Sequence, residues 1–208
     1  MMIQNKLIEY LDYLFPNPKC ELTYQTDYQL LMAVVLSAQS TDKRVNSVTP
    51  IIFSKYPTLE ELANASLTDL EDIIRPVGSF RKKASYLKKI ASRLVNEFDG
   101  VVPTDRDILE SFPGVGRKTV NVFLAEFDHY PAIAVDTHVE RVSKRLKLAY
   151  QKDSVLDVER KLMKKVPKER RAKFHLQMVL FGRYYCKAVK PLCKDCPLKE
   201  YCREKKKN

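Results

Sequence analysis

No run of apolar residues in the 208-residue chain approaches the ~20 needed to span a bilayer. The opening MMIQNKLIEYLDYLF is amphipathic, carries acids and has no small-residue cleavage site. It reads as a helix rather than a leader, and the chain as an unprocessed cytoplasmic protein with no membrane partner. Strand-like alternation is also missing: residues 99–102 have no partner run, and residues 132–135 are too short to found a sheet. The five cysteines are an odd number, which argues against a disulfide framework. No G-x-x-x-x-G-K-[ST] run occurs, so a nucleotide P-loop is excluded.

Helical periodicity is what remains. Leu87, Ile90, Ala91, Leu94 and Phe98 lay one apolar stripe along a helix that Asp99-Gly100 ends. Capping-type start signals occur at Thr58/Glu61, Thr68/Glu71, Thr137/Glu140 and Ser154/Asp157. Short linkers marked by Pro or Gly separate the segments. The pattern predicts an all-α protein of about ten helices. Charge is uneven along it: residues 1–137 hold 15 basic and 18 acidic side chains, whereas residues 138–208 hold 22 and 8. A basic segment of this kind is either a solvated face or a surface for a polyanion, most often nucleic acid.

Four of the cysteines, Cys186, Cys193, Cys196 and Cys202, form C-x6-C-x2-C-x5-C near the end of the chain. Four thiolates so close in sequence can converge on a metal, and the spacing leaves zinc and an iron–sulfur cluster both open. Between Cys186 and Cys193, Lys187 and Lys190 would be presented at fixed positions, as phosphate contacts require. Cys20 stands alone and reads as a buried structural thiol.

Phe112-Pro113-Gly114-Val115-Gly116-Arg117-Lys118-Thr119 lies between two helical segments. Gly114 and Gly116 permit a tight turn whose N–H groups, with the positive end of the next helix, can grip a phosphate. Lys118 falls on the first turn of that helix, where the dipole favours a neutral amine. Such a lysine either binds phosphate or acts as a nucleophile that forms a Schiff base. Asp136, in Ala134-Val135-Asp136-Thr137-His138, is either part of a helix start or a carboxylate that assists an amine.

Leu36-Ser37-Ala38-Gln39-Ser40-Thr41-Asp42, the glycine hairpin, Val135-Asp136-Thr137-His138 and the four cysteines after Phe181-Gly182-Arg183-Tyr184 occur together in this order. The whole chain closely resembles the endonuclease III family of helix-hairpin-helix DNA glycosylases. The resemblance implies two helical domains with a DNA cleft between them. A six-helix domain would span residues 21–130, with its hairpin at 112–118. A discontinuous domain of residues 1–20 and 131–208 would hold a [4Fe-4S] cluster on Cys186, Cys193, Cys196 and Cys202. The implied activity is that of a monomeric glycosylase and abasic-site lyase of base excision repair, acting on oxidised pyrimidines in damaged double-stranded DNA. Lys118 matches the nucleophile, Asp136 the assisting carboxylate, and Gln39 a residue that enters the DNA near the vacated space.

One position departs from the pattern. Where the family often offers a large apolar wedge, this chain has Ser79, so either Val77, Phe80 or Gln39 would do more of the filling, or lesion preference and turnover would differ from the family pattern. Related adenine glycosylases usually lack a lysine at the position of Lys118, which discriminates against that reading; a monofunctional mismatch (adenine or thymine/uracil) glycosylase is the enzymatic alternative. A cluster-bearing DNA-binding protein without activity is the non-enzymatic alternative. His138 is expected at phosphate, as are Gly114, Gly116, Lys187 and Lys190. His129 and His175 read as surface or packing residues, Phe123, Phe127, Tyr184 and Tyr185 as core. Arg81-Lys82-Lys83 reads as a solvated face or a DNA contact.

Overall fold

The computed structural model describes residues 3–127 and 130–204, so His129 lies outside the described residues. Eleven α-helices and no strand are present among them. No described helix is long and apolar enough to cross a membrane. The chain divides into two compact units, Cys20–Asp128 and Met1–Lys19 with His129–Asn208.

α1 (Ile3–Leu14) belongs to the discontinuous unit and buries Leu7 and Leu11. The continuous unit then holds α2 (Asp27–Ser37), α3 (Asp42–Lys55), α4 (Leu59–Asn64), α5 (Leu67–Ile73), α6 (Phe80–Phe98), α7 (Arg106–Glu110) and α8 (Arg117–Phe127). These are seven helices where six are expected, the count rising with short pieces such as the five-residue α7, which Asp105 caps. α2 is buried from Gln29 to Leu36, apolar on all sides as a central helix must be. Against it pack α3, α6 and α8. The α6 stripe is as periodicity predicts, with Leu87, Ile90, Ala91 and Leu94 fully buried. Asp99 and Gly100 are both left-handed at its end, and Gly100 N donates back to Leu94 O at 2.8 Å.

Thr58 and Ser154 form the capping boxes expected of them. Two other start signals are displaced. Ser66 caps α5, leaving Thr68 inside the helix, and Asp136 rather than Thr137 caps the next long helix. In both cases a better acceptor upstream takes the first N–H groups.

The discontinuous unit continues with α9 (Thr137–Arg145), α10 (Val155–Lys165) and α11 (Arg171–Leu180), which runs into a π-helical turn at Phe181–Tyr185. Its core gathers Leu7, Leu11, Ile133, Val139, Val142, Phe174, Met178 and Phe181. His175 is buried there as a packing residue. Asp12 joins α1 to α11: its carboxylate accepts from Arg170 Nη2 at 2.9 Å, Gln177 Nε2 at 3.0 Å and Lys173 Nζ at 3.0 Å. Burial works to raise the Asp12 pKa, but the bonds from Arg170, Gln177 and Lys173 outweigh it and hold it at about 2. With the folded value below the unfolded one, the stabilisation is present above the usual carboxylate range and lost as pH falls through about 2. Urea midpoints of Asp12→Asn should therefore fall below those of the parent protein near neutral pH, with the gap closing towards pH ~2.

The π-helical turn corrects one core assignment. Its wider step, closed by Cys186 N donating to Phe181 O at 2.7 Å, swings Tyr184 outward to 46% exposure while Phe181 stays buried. Phe127 is similarly half-exposed at the end of α8, stacked on the buried Phe123. Cys20 is half-buried and packs against the core of the continuous unit.

Candidate functional site

The glycine hairpin is rigid from beneath. Phe112 and Val115 are buried, Val115 N donates to Phe112 O at 3.1 Å, and the Arg93 guanidinium lies 4.5 Å from the Phe112 ring centroid. Gly114 is left-handed (φ +78°) and faces the Tyr86 ring: a Cβ there would sit 2.8 Å from Tyr86 Cε2 and nearer still to Cδ2. Gly116 faces open space. The two glycines thus have different reasons. Gly114→Ala should lower unfolding stability by about 1–3 kcal/mol, whereas Gly116→Ala should change it little. Denaturant midpoints of the two variants check the contrast.

α8 begins at Arg117 directly after this turn, and Val120 N donates to Gly116 O at 3.0 Å as its first helical bond. The N–H groups ahead of it have no intrahelical acceptor and lie at the positive helix end, as an anion site needs. Lys118 is the second residue of α8 and is exposed. Its backbone has little freedom: Val120, Phe123 and Leu124 are buried, Arg106 Nη2 donates to Asn121 Oδ1 at 2.7 Å, and the Tyr24 hydroxyl donates to Glu126 Oε1 at 2.7 Å. Burial and Glu126 together push the Tyr24 phenol well up, so it remains a donor.

Two loops of the same unit carry the residues expected to enter DNA. Gln39 follows α2 in a left-handed conformation (φ 55°) and is exposed; Ser79 precedes α6 with φ 58° and is exposed as well. The Ser79 side chain makes no capping bond to α6. Val77 is corrected: it is 1% exposed and part of the core, so it supports this loop and presents nothing to a ligand. Phe80 is half-buried, with the Arg75 and Arg81 guanidinium groups at 5.8 and 5.0 Å from its ring centroid. The Arg81-Lys82-Lys83 cluster also divides. Arg81 and Lys82 are exposed, but Lys83 is buried at 5% exposure, its ammonium donating to Leu36 O at 2.8 Å and Ala38 O at 2.5 Å.

In the discontinuous unit, residues 132–135 form a buried lead-in that delivers Asp136 to the start of α9. Asp136 Oδ1 accepts from His138 N and Val139 N, both at 2.8 Å, leaving Oδ2 outside the cap. His138 is half-buried against Gly182, where a Cβ would lie 2.7 Å from the His138 Cβ. The ring Nδ1 of His138 faces Arg141 Nη2 at 3.2 Å. Gly182 is therefore present because α9 passes too close for any side chain.

Arg141 and Arg145 were not singled out by sequence, and they hold the cysteine loop. Arg141 donates to Gly182 O at 2.7 Å and Cys186 O at 3.1 Å. Arg145, 7% exposed, donates to Lys187 O at 2.7 Å, Ala188 O at 3.3 Å and Cys186 Sγ at 3.5 Å. Fixed from below in this way, the loop leaves Lys187 and Lys190 exposed. The four cysteines line one pocket together with Leu146, Phe181, Tyr185, Pro191 and Leu192. Burial there pushes the Cys186 and Cys196 thiols up. Among the described residues no three His, Cys, Asp or Glu side chains form a group able to hold a single metal ion.

Comparison with known proteins agrees with the motif order. Residues 32–168 match the HhH-GPD superfamily of base excision DNA repair proteins. Endonuclease III of Bacillus subtilis (strain 168) is 46% identical over 210 residues, covering 99% of this chain and 96% of that protein. A trapped endonuclease III–DNA covalent intermediate superposes with a TM-score of 0.92 at 47% identity, covering 98% of this chain and 97% of that one. A non-covalent endonuclease III–DNA complex gives 0.93 at 47% identity, covering 98% and 96%.

Proposed function

This chain belongs to the endonuclease III family of the HhH-GPD superfamily, and from that premise we propose that it is a bifunctional DNA glycosylase and abasic-site lyase for oxidised pyrimidines in duplex DNA. The observation that carries the reading is Lys118, exposed on the first turn of a helix that a glycine hairpin opens. Its family position is that of an amine nucleophile. The Nζ lone pair attacks C1′ of the target nucleotide, the C1′–N bond to the base breaks, and the base leaves with its electron pair and is protonated. Opening of the sugar ring leaves a protonated Schiff base between C1′ and Nζ. Loss of a C2′ proton then expels the 3′ phosphate by β-elimination and nicks the strand.

Asp136 takes the assisting role: its cap bonds hold Oδ1, and the carboxylate accepts the proton lost by the amine or offsets positive charge developing on the sugar. The hairpin N–H groups, Lys187 and Lys190 hold phosphates and set the register of the duplex without reading sequence. Damaged DNA is the partner in this reading, engaged by the monomer.

The cysteine pocket suits a [4Fe-4S] cluster. Four thiols share one largely apolar pocket, and a cluster takes one thiolate on each iron where zinc would draw all four to one point. When bound, the cluster would supply crosslinking of the loop and no step on DNA. Cys186, Cys193, Cys196 and Cys202 would hold it, with Arg145 bonding to the Cys186 sulfur. Iron and acid-labile sulfide in anaerobically purified protein support this assignment; stoichiometric zinc without iron contradicts it.

The function itself is tested on a duplex carrying a single thymine glycol, with and without borohydride. Base release, a nick 3′ to the lesion and a reducible protein–DNA adduct are expected. Base release without an adduct would make the protein a monofunctional glycosylase, and salt-dependent binding with no product would leave it a DNA-binding protein.

A further inference from the structure

A buried lysine that the mechanism does not use joins the two loops that carry Gln39 and Ser79. Lys83 closes the first turn of α6, and its Nζ reaches back to the end of α2: Leu36 O at 2.8 Å, Ala38 O at 2.5 Å and Ser40 Oγ at 3.4 Å. An ammonium has three N–H donors, and here three oxygens surround it. The two carbonyls belong to the C-terminal end of α2, the negative end of its dipole. Ser40 Oγ in turn accepts from Gly78 N at 3.1 Å, and a Cβ on Gly78 would stand 3.5 Å from Gln39 O. One cation therefore closes the turn after α2 and, through Ser40, pins the turn before α6.

Both pinned turns are built around a non-glycine residue in the left-handed region, Gln39 at φ 55° and Ser79 at φ 58°. Such conformations persist only where their surroundings over-determine them, and they cluster at sites that clamp a ligand. Burying an ammonium is costly unless every donor is matched. Burial also pushes the Lys83 pKa down. A loop needed only for packing could be closed by a neutral donor at lower cost. What the charge adds is a fixed spacing between two exposed side chains on separate loops.

We propose that Lys83 is a positioning residue for base extrusion: it holds Gln39 and Ser79 at the spacing at which both enter the duplex as the target nucleotide leaves. The proposal rests on the reading above that these loops meet DNA. It also accounts for a serine at the wedge position. A small side chain fills little of the gap, so extrusion depends on where the two loops stand more than on the bulk either one carries.

The test uses the full-length protein and separates extrusion from chemistry. Lys83→Met keeps the length of the side chain and removes the ammonium. Under single turnover it should lose about 100-fold in base release from a thymine glycol duplex, the effect of a displacement near 1 Å. Cleavage of a single-stranded abasic oligonucleotide, which needs no extrusion, should stay within about threefold of the parent rate. The fluorescence rise of 2-aminopurine opposite the lesion, reporting insertion, should be lost in parallel. Ser40→Ala buries no altered charge and covers the case in which Lys83→Met does not fold. It should lose about tenfold on the duplex alone, the effect of one hydrogen bond. Equal losses on duplex and single strand would make Lys83 merely structural and overturn the proposal. Gln39→Ala tells the two readings apart. If it slows duplex excision while the Lys83 and Ser40 variants behave as the parent, the Lys83 proposal alone falls. If it too behaves as the parent, the loops do not enter DNA and the underlying reading falls with it.

Discussion

Lys118→Gln should yield no borohydride-trapped adduct on lesion or abasic duplexes, with strand cleavage down by roughly 10³-fold or more. The fold should not change, because Lys118 is exposed and the buried Val120, Phe123 and Leu124 anchor its helix. Gln is also as good a helix former as Lys, so unfolding stability should stay within about 0.5 kcal/mol. Lys118→Arg sharpens the result. Arg keeps the positive charge and serves a phosphate as well as Lys does, but it is always protonated and cannot attack C1′. A protein whose lysine only attracts phosphate would keep its activity as the Arg variant. The expected outcome is retained binding to an abasic-site analogue with no trapping.

Asp136→Asn should separate a cap from a catalyst. Asn is as good an N-cap as Asp, so the bonds from His138 N and Val139 N survive and stability should move by only a few tenths of a kcal/mol. The amide cannot accept a proton or offset a developing cation, and base release should fall by about 10²–10⁴-fold. Asp136→Ala should lose as much activity and, in addition, about 1 kcal/mol of stability with the cap. Thermal unfolding and single-turnover excision read the two effects separately. An Asn variant with the parent rate would reduce Asp136 to a structural cap.

Periodicity made much of the fold legible. The α6 stripe, the capping boxes at Thr58 and Ser154 and the absence of strands among the described residues all depend on neighbours a few residues apart. What escaped depends on distant partners. Arg141 and Arg145 find their carbonyl acceptors more than 40 residues downstream, where no local pattern reaches. Tyr184 faces outward because a π-helical turn changes the angular step that the 3.6-residue period assumes.

Lys83 is the instructive case. Read as a run, Arg81-Lys82-Lys83 looks like one solvated face. By helical period, Lys83 lies four residues before Leu87 and continues the buried stripe of Leu87, Ile90, Ala91 and Leu94 back by a turn. The signal was present, and composition concealed it. Val77 shows the reverse: a side chain next to the exposed Gly78 and Ser79 that turns inward to the core. The cysteine spacing was legible as a ligand set, but which metal it takes depends on how the pocket is enclosed, and spacing carries no such information.

The chemistry rests on one covalent bond, and that bond can be located. After borohydride reduction of the protein with an abasic duplex, nuclease and protease digestion should give one peptide bearing a reduced deoxyribose remnant, with the added mass on Lys118 Nζ. Modification of another lysine or of the N-terminal amine, with Lys118 recovered unmodified, would contradict the account.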